Sequence, residues 1–418
     1  EQIMERKLYL DKIIRKKHNG MIKVITGIRR CGKSYLLFNL FYNYLKECGV
    51  DDIHIIKIAL DDRINIKLRD PDELCSYVHA KITDNKMYYI LLDEVQFVKD
   101  FEDVLNSFLH IQNADTYVTG SNAKFLSKDI ITEFRGRGDE VHLFPLSFSE
   151  FAKYSSGDKY SLWKEYLNFG GLPKLMEIES EEDKSNYLKN IFTETYLKDI
   201  LERNDIRNSE ELAELLDFLA SSVGSLVTAK KLSETFKSVK KINIHPETVK
   251  NYLEYFEDSF LITKSRRYDV KGKKYISSPQ KYYFTDVGLR NARLNFRQFE
   301  ETHLMENVIF NELLIRGYNV DVGMVEENIM NKDKTKTQRQ LEIDFVCNLV
   351  SKRLYIQSAL SLPDKEKLQQ EERSLVKTKD SFKKIIIAKD NPTHYTEDGI
   401  LILNLFDFLL NENSLDQL

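Results

Sequence analysis

The chain has 418 residues, 42% of them hydrophobic, enough for several cores and too long for one ordinary domain. Its 62 Lys+Arg against 66 Asp+Glu leave a net charge of -4, which excludes a globally basic nucleic-acid coat and restricts any such contact to a local basic region. No apolar run approaches the roughly 18 residues of a membrane span. Cys31, Cys48, Cys75 and Cys347 form no CxxC pair, and the eight histidines form no ligand-like cluster. A cytoplasmic chain without disulfides, structural zinc or membrane contact is expected.

The first twenty residues read as an amphipathic helix without the apolar core of a signal peptide. Ile22–Thr26 is a short apolar strand, and GIRRCGKS follows it at once: Gly27, Ile28, Arg29, Arg30, Cys31, Gly32, Lys33, Ser34. This spacing fits the phosphate-binding loop at every fixed position. Glycines at both ends let the backbone close around an anion, and the amides of the next helix, opened by Tyr35, offer it positive dipole ends. Lys33 suits the β/γ-phosphates of ATP, and the Ser34 hydroxyl suits Mg²⁺.

Further strands are expected at 53–60, 87–92, 116–119 and 141–145, with helices at 71–82 and 101–112 between them. Short apolar runs alternating with helices predict a parallel sheet covered on both faces. The strand Tyr88–Leu92 ends in Asp93 and Glu94. Asp93 is the candidate metal anchor and Glu94 the candidate that polarises water. Ser121 or Asn122, at the end of the next strand, is a candidate contact to the γ-phosphate or the water. Arg135 and Arg137 are candidate arginine fingers, acting in the same chain or on a neighbour.

From about 155 to 220 strand signals vanish, and a Phe169–Pro173 turn interrupts helices. Between 221 and 284 the pattern is a helix-turn-helix with a wing: helices at 229–236 and 245–256, strands at 261–269 and 281–284, and a Lys-Gly-Lys-Lys tip. Thirteen Lys/Arg face six Asp/Glu there, an excess of seven in a chain that is -4 overall. Such segregation marks a phosphate-backbone binder. Thr248, Lys250 and Asn251 on the second helix and Lys271, Lys273 and Lys274 at the tip are the candidate nucleic-acid contacts. Acidic Glu254, Glu257 and Asp258 would oppose DNA if they faced it, and winged helices also dock proteins. Beyond 300 the pattern is a small mixed α/β domain, with 326–340 read as a mobile hairpin tip or loop.

GIRRCGKS, LLDEVQ, TGSNA, FRGR, FPLSFSEF and FGGLP, in this order, resemble the AAA+-related prokaryotic ATPases of the AAA_14 type with a DUF4143-type C-terminal region. The resemblance implies a helical lid whose Gly171–Pro173 turn brings Pro173 to the nucleotide base. It also implies kinship with signal-transducing ATPases that use nucleotide state as a switch. In the last domain Glu306 on a helix, Asp344 on a strand and Gln357 on the next resemble a PD-(D/E)xK nuclease core. Gln357 stands where that pattern has a carboxylate and Ala359 where it has lysine, so nuclease activity is expected to be absent or weak.

The expected architecture is α/β: an AAA+-like P-loop domain (1–155), a helical lid (156–220), a winged helix (221–300) and a degenerate nuclease-like α/β domain (301–418). The expected function is a Mg²⁺-dependent ATPase associated with DNA, as a ring or dimer. The alternative is a nucleotide-gated switch that docks a protein partner.

Overall fold

Three central strands buried along nearly their whole length can only lie inside a sheet covered on both faces, and that sheet forms, with less buried strands at its two edges. A computed structural model of the chain describes residues 3–121, 134 and 136–416, so the expectations for Asn122 and Arg135 lie outside the described residues. The strands are β1 (Ile22–Thr26), β2 (Ile55–Ala59), β3 (Tyr88–Asp93), β4 (Ala114–Thr119) and β5 (Gly138–His142), in the order β2-β3-β4-β1-β5. All four pairings are parallel. The register sets Ile25 beside Thr119 and Leu92 beside Val118. Thr26, Thr119 and Asp93 therefore emerge along one edge. β5 begins three residues before the expected strand, in Gly138-Asp139-Glu140, because pairing with all of β1 overrides weak local propensity.

After the phosphate loop the chain stays helical from 33 to 47, but Leu36–Phe41 is a π-helical segment. Leu36, Leu37, Leu40, Phe41 and Leu45 are buried, as their spacing predicts. The helix Pro71–Lys81 starts where Asp70 caps the Glu73 amide and proline occupies the first turn. Ile22, Val24, Ile56, Ile90, Leu92, Val104, Leu105 and Phe108 belong to the core of this unit.

The chain divides into two compact units, the first comprising Glu1–Pro145, Leu172–Lys174 and Asp258–Phe260. The second begins with helices, among them Phe148–Lys153, Lys159–Phe169, Glu181–Ile191 and Ser209–Ser221. The two helices of the expected helix-turn-helix are Ala229–Thr235, continued as a π-helical turn to Lys240, and Pro246–Asp258. An eight-stranded sheet follows: β6 (Ile262–Asp269), β7 (Lys274–Phe284), β8 (Asn319–Met330), β9 (Lys336–Leu349), β10 (Lys352–Ala359), β11 (Lys383–Ala388), β12 (His394–Tyr395) and β13 (Leu401–Asn404), in the order β12-β13-β11-β10-β9-β8-β6-β7. The β6–β7 hairpin joins the later strands through parallel pairing of Arg267–Asp269 with Val322–Met324. The hairpin and the 301–418 segment thus share one sheet. Residues 326–340, expected as a tip or loop, are mostly ladder: Glu326 pairs with Gln340 and Met330 with Lys336, leaving a turn at 331–335.

Candidate nucleotide site and C-terminal carboxylate cluster

The loop after β1 needs its glycines. Gly27 has φ 149° and Gly32 φ 103°, and a Cβ on Gly27 would meet the Leu143 carbonyl and stand 2.9 Å from Cys31 Sγ. Ile28 and Cys31 are buried beneath the loop, while Arg30 is exposed on it. The Lys33 side chain turns inward: its ammonium donates to the carbonyls of Gly27 (2.8 Å) and Ile28 (2.9 Å). Those carbonyls hold it in the hollow of the loop, where a phosphate would compete for it.

The Ser34 hydroxyl lies 2.7 Å from Asp93 Oδ2 and donates to that carboxylate. Asp93 is 4% exposed. Burial pushes its carboxyl above the usual range, and hydrogen bonds from Thr119 and Ser34 pull it part of the way back. Thr119, wholly buried, donates Oγ1–H to Asp93 Oδ1 (2.5 Å) and accepts the Glu94 amide (2.9 Å). Glu94 has left-handed backbone, φ 54° and ψ 50°. For a non-glycine residue that costs roughly 1–2 kcal/mol, and such strain concentrates at functional sites. Its carboxylate accepts from Ser121 Oγ (2.9 Å) and from Gln96 Nε2. Gln96 Oε1 is buried without a partner among the described residues, leaving an acceptor beside that carboxylate.

These residues fit a metal–triphosphate. Two oxygen donors, Ser34 and Asp93, stand together as a hard cation requires, and the Lys33 ammonium beside them is held by the loop carbonyls of Gly27 and Ile28. Pro173 comes to the same loop, its Cγ 3.8 Å from where a Gly32 Cβ would lie. The Tyr35 hydroxyl donates to the Met4 carbonyl (3.3 Å). Arg137 is exposed, and its carbonyl accepts the amide of Ile22, at the start of β1. The phosphate loop leaves the other end of β1, about 16 Å away along five residues of strand. The structure therefore does not bring Arg137 to Lys33 within one chain.

Sequence reasoning missed Thr119, Gln96 and Arg6. Arg6 is buried and donates to the carbonyls of Cys31 (3.2 Å) and Phe144 (2.7 Å), bracing the loop from behind. Nothing local marks it, since its partners lie 25 and 138 residues away. Thr119 was visible as part of Thr-Gly-Ser, but its role needs the β3–β4 register.

In the second unit, Glu306, Asp344 and Gln357 do come together. Between the carboxylates lies Lys281 of β7, bonded to Glu306 (2.9 Å) and to Glu342 (2.5 Å). On the helix Pro246–Asp258, Lys250 and Asn251 are exposed and Thr248 is half-buried. Exposed Glu247 and Glu254 flank them at helical spacing. Lys271, Lys273 and Lys274 are exposed on the hairpin tip, with Lys271 donating to the Glu326 carbonyl (3.2 Å). Among the described residues no helix is long and apolar enough to cross a membrane.

A parallel sheet in this order, with a glycine loop after β1 and an acidic pair at the end of β3, has the architecture of a P-loop domain. The AAA domain model AAA_14 matches residues 19–152. A domain of unknown function, DUF8612, matches residues 160–300, in place of the DUF4143-type region expected from the sequence. The chain belongs to one family with an uncharacterized protein of Haemophilus influenzae, 32% identical over 414 residues, which span 98% of this chain and 99% of that one. The uncharacterized protein MJ1544 of Methanocaldococcus jannaschii is 33% identical over 309 residues, 71% of this chain and 67% of its own. Among solved structures, the Aeropyrum pernix ORC1 protein in complex with DNA aligns over 70% of this chain and 93% of its own, at 11% identity and a TM-score of 0.27.

Proposed function

We propose that the chain is a Mg²⁺-dependent ATPase that works in contact with nucleic acid. The convergence of Lys33, Ser34, Asp93, Thr119 and Glu94 on one edge of the parallel sheet carries the reading. The β/γ-phosphates of ATP replace the Gly27 and Ile28 carbonyls as partners of the Lys33 ammonium. Ser34 Oγ and the Asp93 carboxylate would hold Mg²⁺, which neutralises phosphate charge when bound. Glu94 orients the attacking water once it leaves Ser121 and Gln96. Pro173 borders the base. Arg137, at the far end of β1, would serve the site of a neighbouring copy in a ring or dimer.

The nucleic-acid part rests on charge. The excess of seven positive residues between 221 and 284 includes three exposed lysines on one hairpin tip. The helix contributes less, because Glu247 and Glu254 interleave with Lys250. Phosphate contact through the tip, with little base reading by the helix, follows.

ATP turnover measured without DNA and with duplex, single-stranded and branched DNA tests the reading. Stimulation that fades with salt is expected. Lys33→Ala should lose ATP binding, whereas Glu94→Gln should bind ATP and turn over at least about 100-fold more slowly. A Glu94→Gln enzyme with undiminished turnover removes Glu94 from its role. The interleaved acids favour a second reading, a nucleotide-gated switch that docks a protein through the same helix. Turnover and binding indifferent to every DNA form would select it.

A further inference from the structure

Lys281 lies on β7 opposite Ser265 of β6, and its side chain is 1% exposed. Three carboxylates from two other elements converge on its ammonium. Glu306, on the helix Glu301–Ile315, is at 2.9 Å. Glu342 and Asp344, both on β9, are at 2.5 and 4.0 Å. The Tyr283 hydroxyl donates to the same Glu306 oxygen at 2.7 Å. Gly224 permits the approach on the far side: a Cβ there would stand 2.8 Å from Glu306 Oε2.

The remaining residue of the nuclease-like set is committed elsewhere. Gln357 accepts the Asp344 amide with Oε1 (2.7 Å) and donates Nε2 to Ser374 Oγ (3.1 Å). Asp344 Oδ2 accepts the Ser358 amide at 2.9 Å. Gln357 therefore positions Asp344, and one of the two lone pairs on its single amide oxygen is already taken. Burial alone would push the Lys281 ammonium down, but Glu306, Asp344 and Glu342 together raise it above its ordinary value. Burial and the Glu306 charge push the Asp344 carboxyl well above the carboxylate range.

A divalent ion here would need the space and the oxygen lone pairs that the ammonium now uses. Among the described residues no group of three or more His, Cys, Asp and Glu is left open to hold a metal, this one included while Lys281 stands between its carboxylates. The residues resembling a metal-dependent nuclease core thus do not fit its metal, and the obstacle is a lysine as well as the missing charges at 357 and 359.

We propose that Glu306, Glu342 and Asp344 form a divalent-cation site permanently filled by the chain's own Lys281 side chain, which fastens the basic β6–β7 hairpin to the helix Glu301–Ile315 and to β9. The domain accordingly performs no metal-dependent phosphodiester cleavage. Its lysine acts as a built-in counter-ion, and the hairpin tip is presented from an anchored strand.

The test compares full-length wild type with Lys281→Ala, both stripped of metal and free of nucleotide, by titration with Mn²⁺ followed by paramagnetic resonance of the free ion. Comparison with wild type cancels any contribution from Ser34 and Asp93. The variant should bind one Mn²⁺ more, at least tenfold tighter than anything in wild type, and its thermal midpoint should rise with Mn²⁺. Adding Asp344→Asn should abolish both effects. Lys281→Met, which keeps the buried stem, is titrated alongside. If either variant fails to fold without metal, refolding with and without Mn²⁺ is the readout, and recovery only with Mn²⁺ supports the proposal. It is overturned if neither variant gains a Mn²⁺ site under any of these conditions, or if wild type cuts plasmid DNA with Mg²⁺ or Mn²⁺ and Asp344→Ala abolishes the cutting.

Discussion

Thr119→Val keeps the shape of a wholly buried side chain and deletes one hydroxyl. That hydroxyl makes two contacts, a donated bond to the Asp93 carboxylate at 2.5 Å and an accepted bond from the Glu94 amide at 2.9 Å. A hydrogen bond to a charged group contributes roughly 1.5–3 kcal/mol and a neutral one about 1 kcal/mol. The variant should therefore lose about 3 kcal/mol of local order around the acidic pair. Asp93 also loses the larger of the two hydrogen bonds that hold its carboxyl down against burial, so it titrates higher still and competes less well for a cation. Glu94 loses the contact that holds its left-handed backbone. If that order is needed when the transition state forms, turnover drops about 100-fold, the kinetic equivalent of about 3 kcal/mol. The assay pairs steady-state ATP turnover with hydrogen exchange at the Glu94 amide, and Thr119→Ser, which keeps the hydroxyl, should recover most of both. Wild-type turnover in Thr119→Val, with an unchanged Glu94 exchange rate, would refute the argument that β4 organises the acidic pair.

Two further outcomes follow from the same geometry. Gly27→Ala should weaken ATP binding roughly 10- to 100-fold, because φ 149° and the collision with the Leu143 carbonyl force the loop to move at a cost of about 1–3 kcal/mol; isothermal titration with an ATP analogue reads it, and wild-type affinity would contradict it. Asp286, buried where it accepts the amides of Gly171 (2.8 Å) and Leu289 (3.1 Å), has its carboxyl pushed up to about 6 by burial, against those backbone bonds. An acid raised in the folded state binds its proton more tightly there, so its contribution to stability is greatest below pH 4 and falls as pH rises from about 4 to about 6, by about 3 kcal/mol in all. Urea unfolding followed at Trp163, the single tryptophan and part of the same unit, should show this slope in wild type and lose it in Asp286→Asn; identical slopes would sink it.

Local chemistry alone determined the phosphate loop, its preceding strand, the acidic pair at the end of β3 and the alternation that makes the first sheet parallel. Each depends on spacing over a few residues, on glycine's missing Cβ, or on apolar runs that must be buried on both sides. The lysines of the hairpin tip were equally legible, because a Lys-Gly-Lys-Lys turn can face only water. Tertiary structure decided the rest. Thr119 acquires its two bonds only when β4 inserts between β1 and β3. Arg137 is carried to the far end of β1 by the β5 register. The β6–β7 hairpin enters a sheet with β8, more than fifty residues away in the chain. Lys281, a residue with no local signature, meets Glu306 and Glu342 across separations of 25 and 61 residues. Pairings of that length leave no periodic trace, because they are selected by which buried charges and strand edges find a partner once the chain has collapsed.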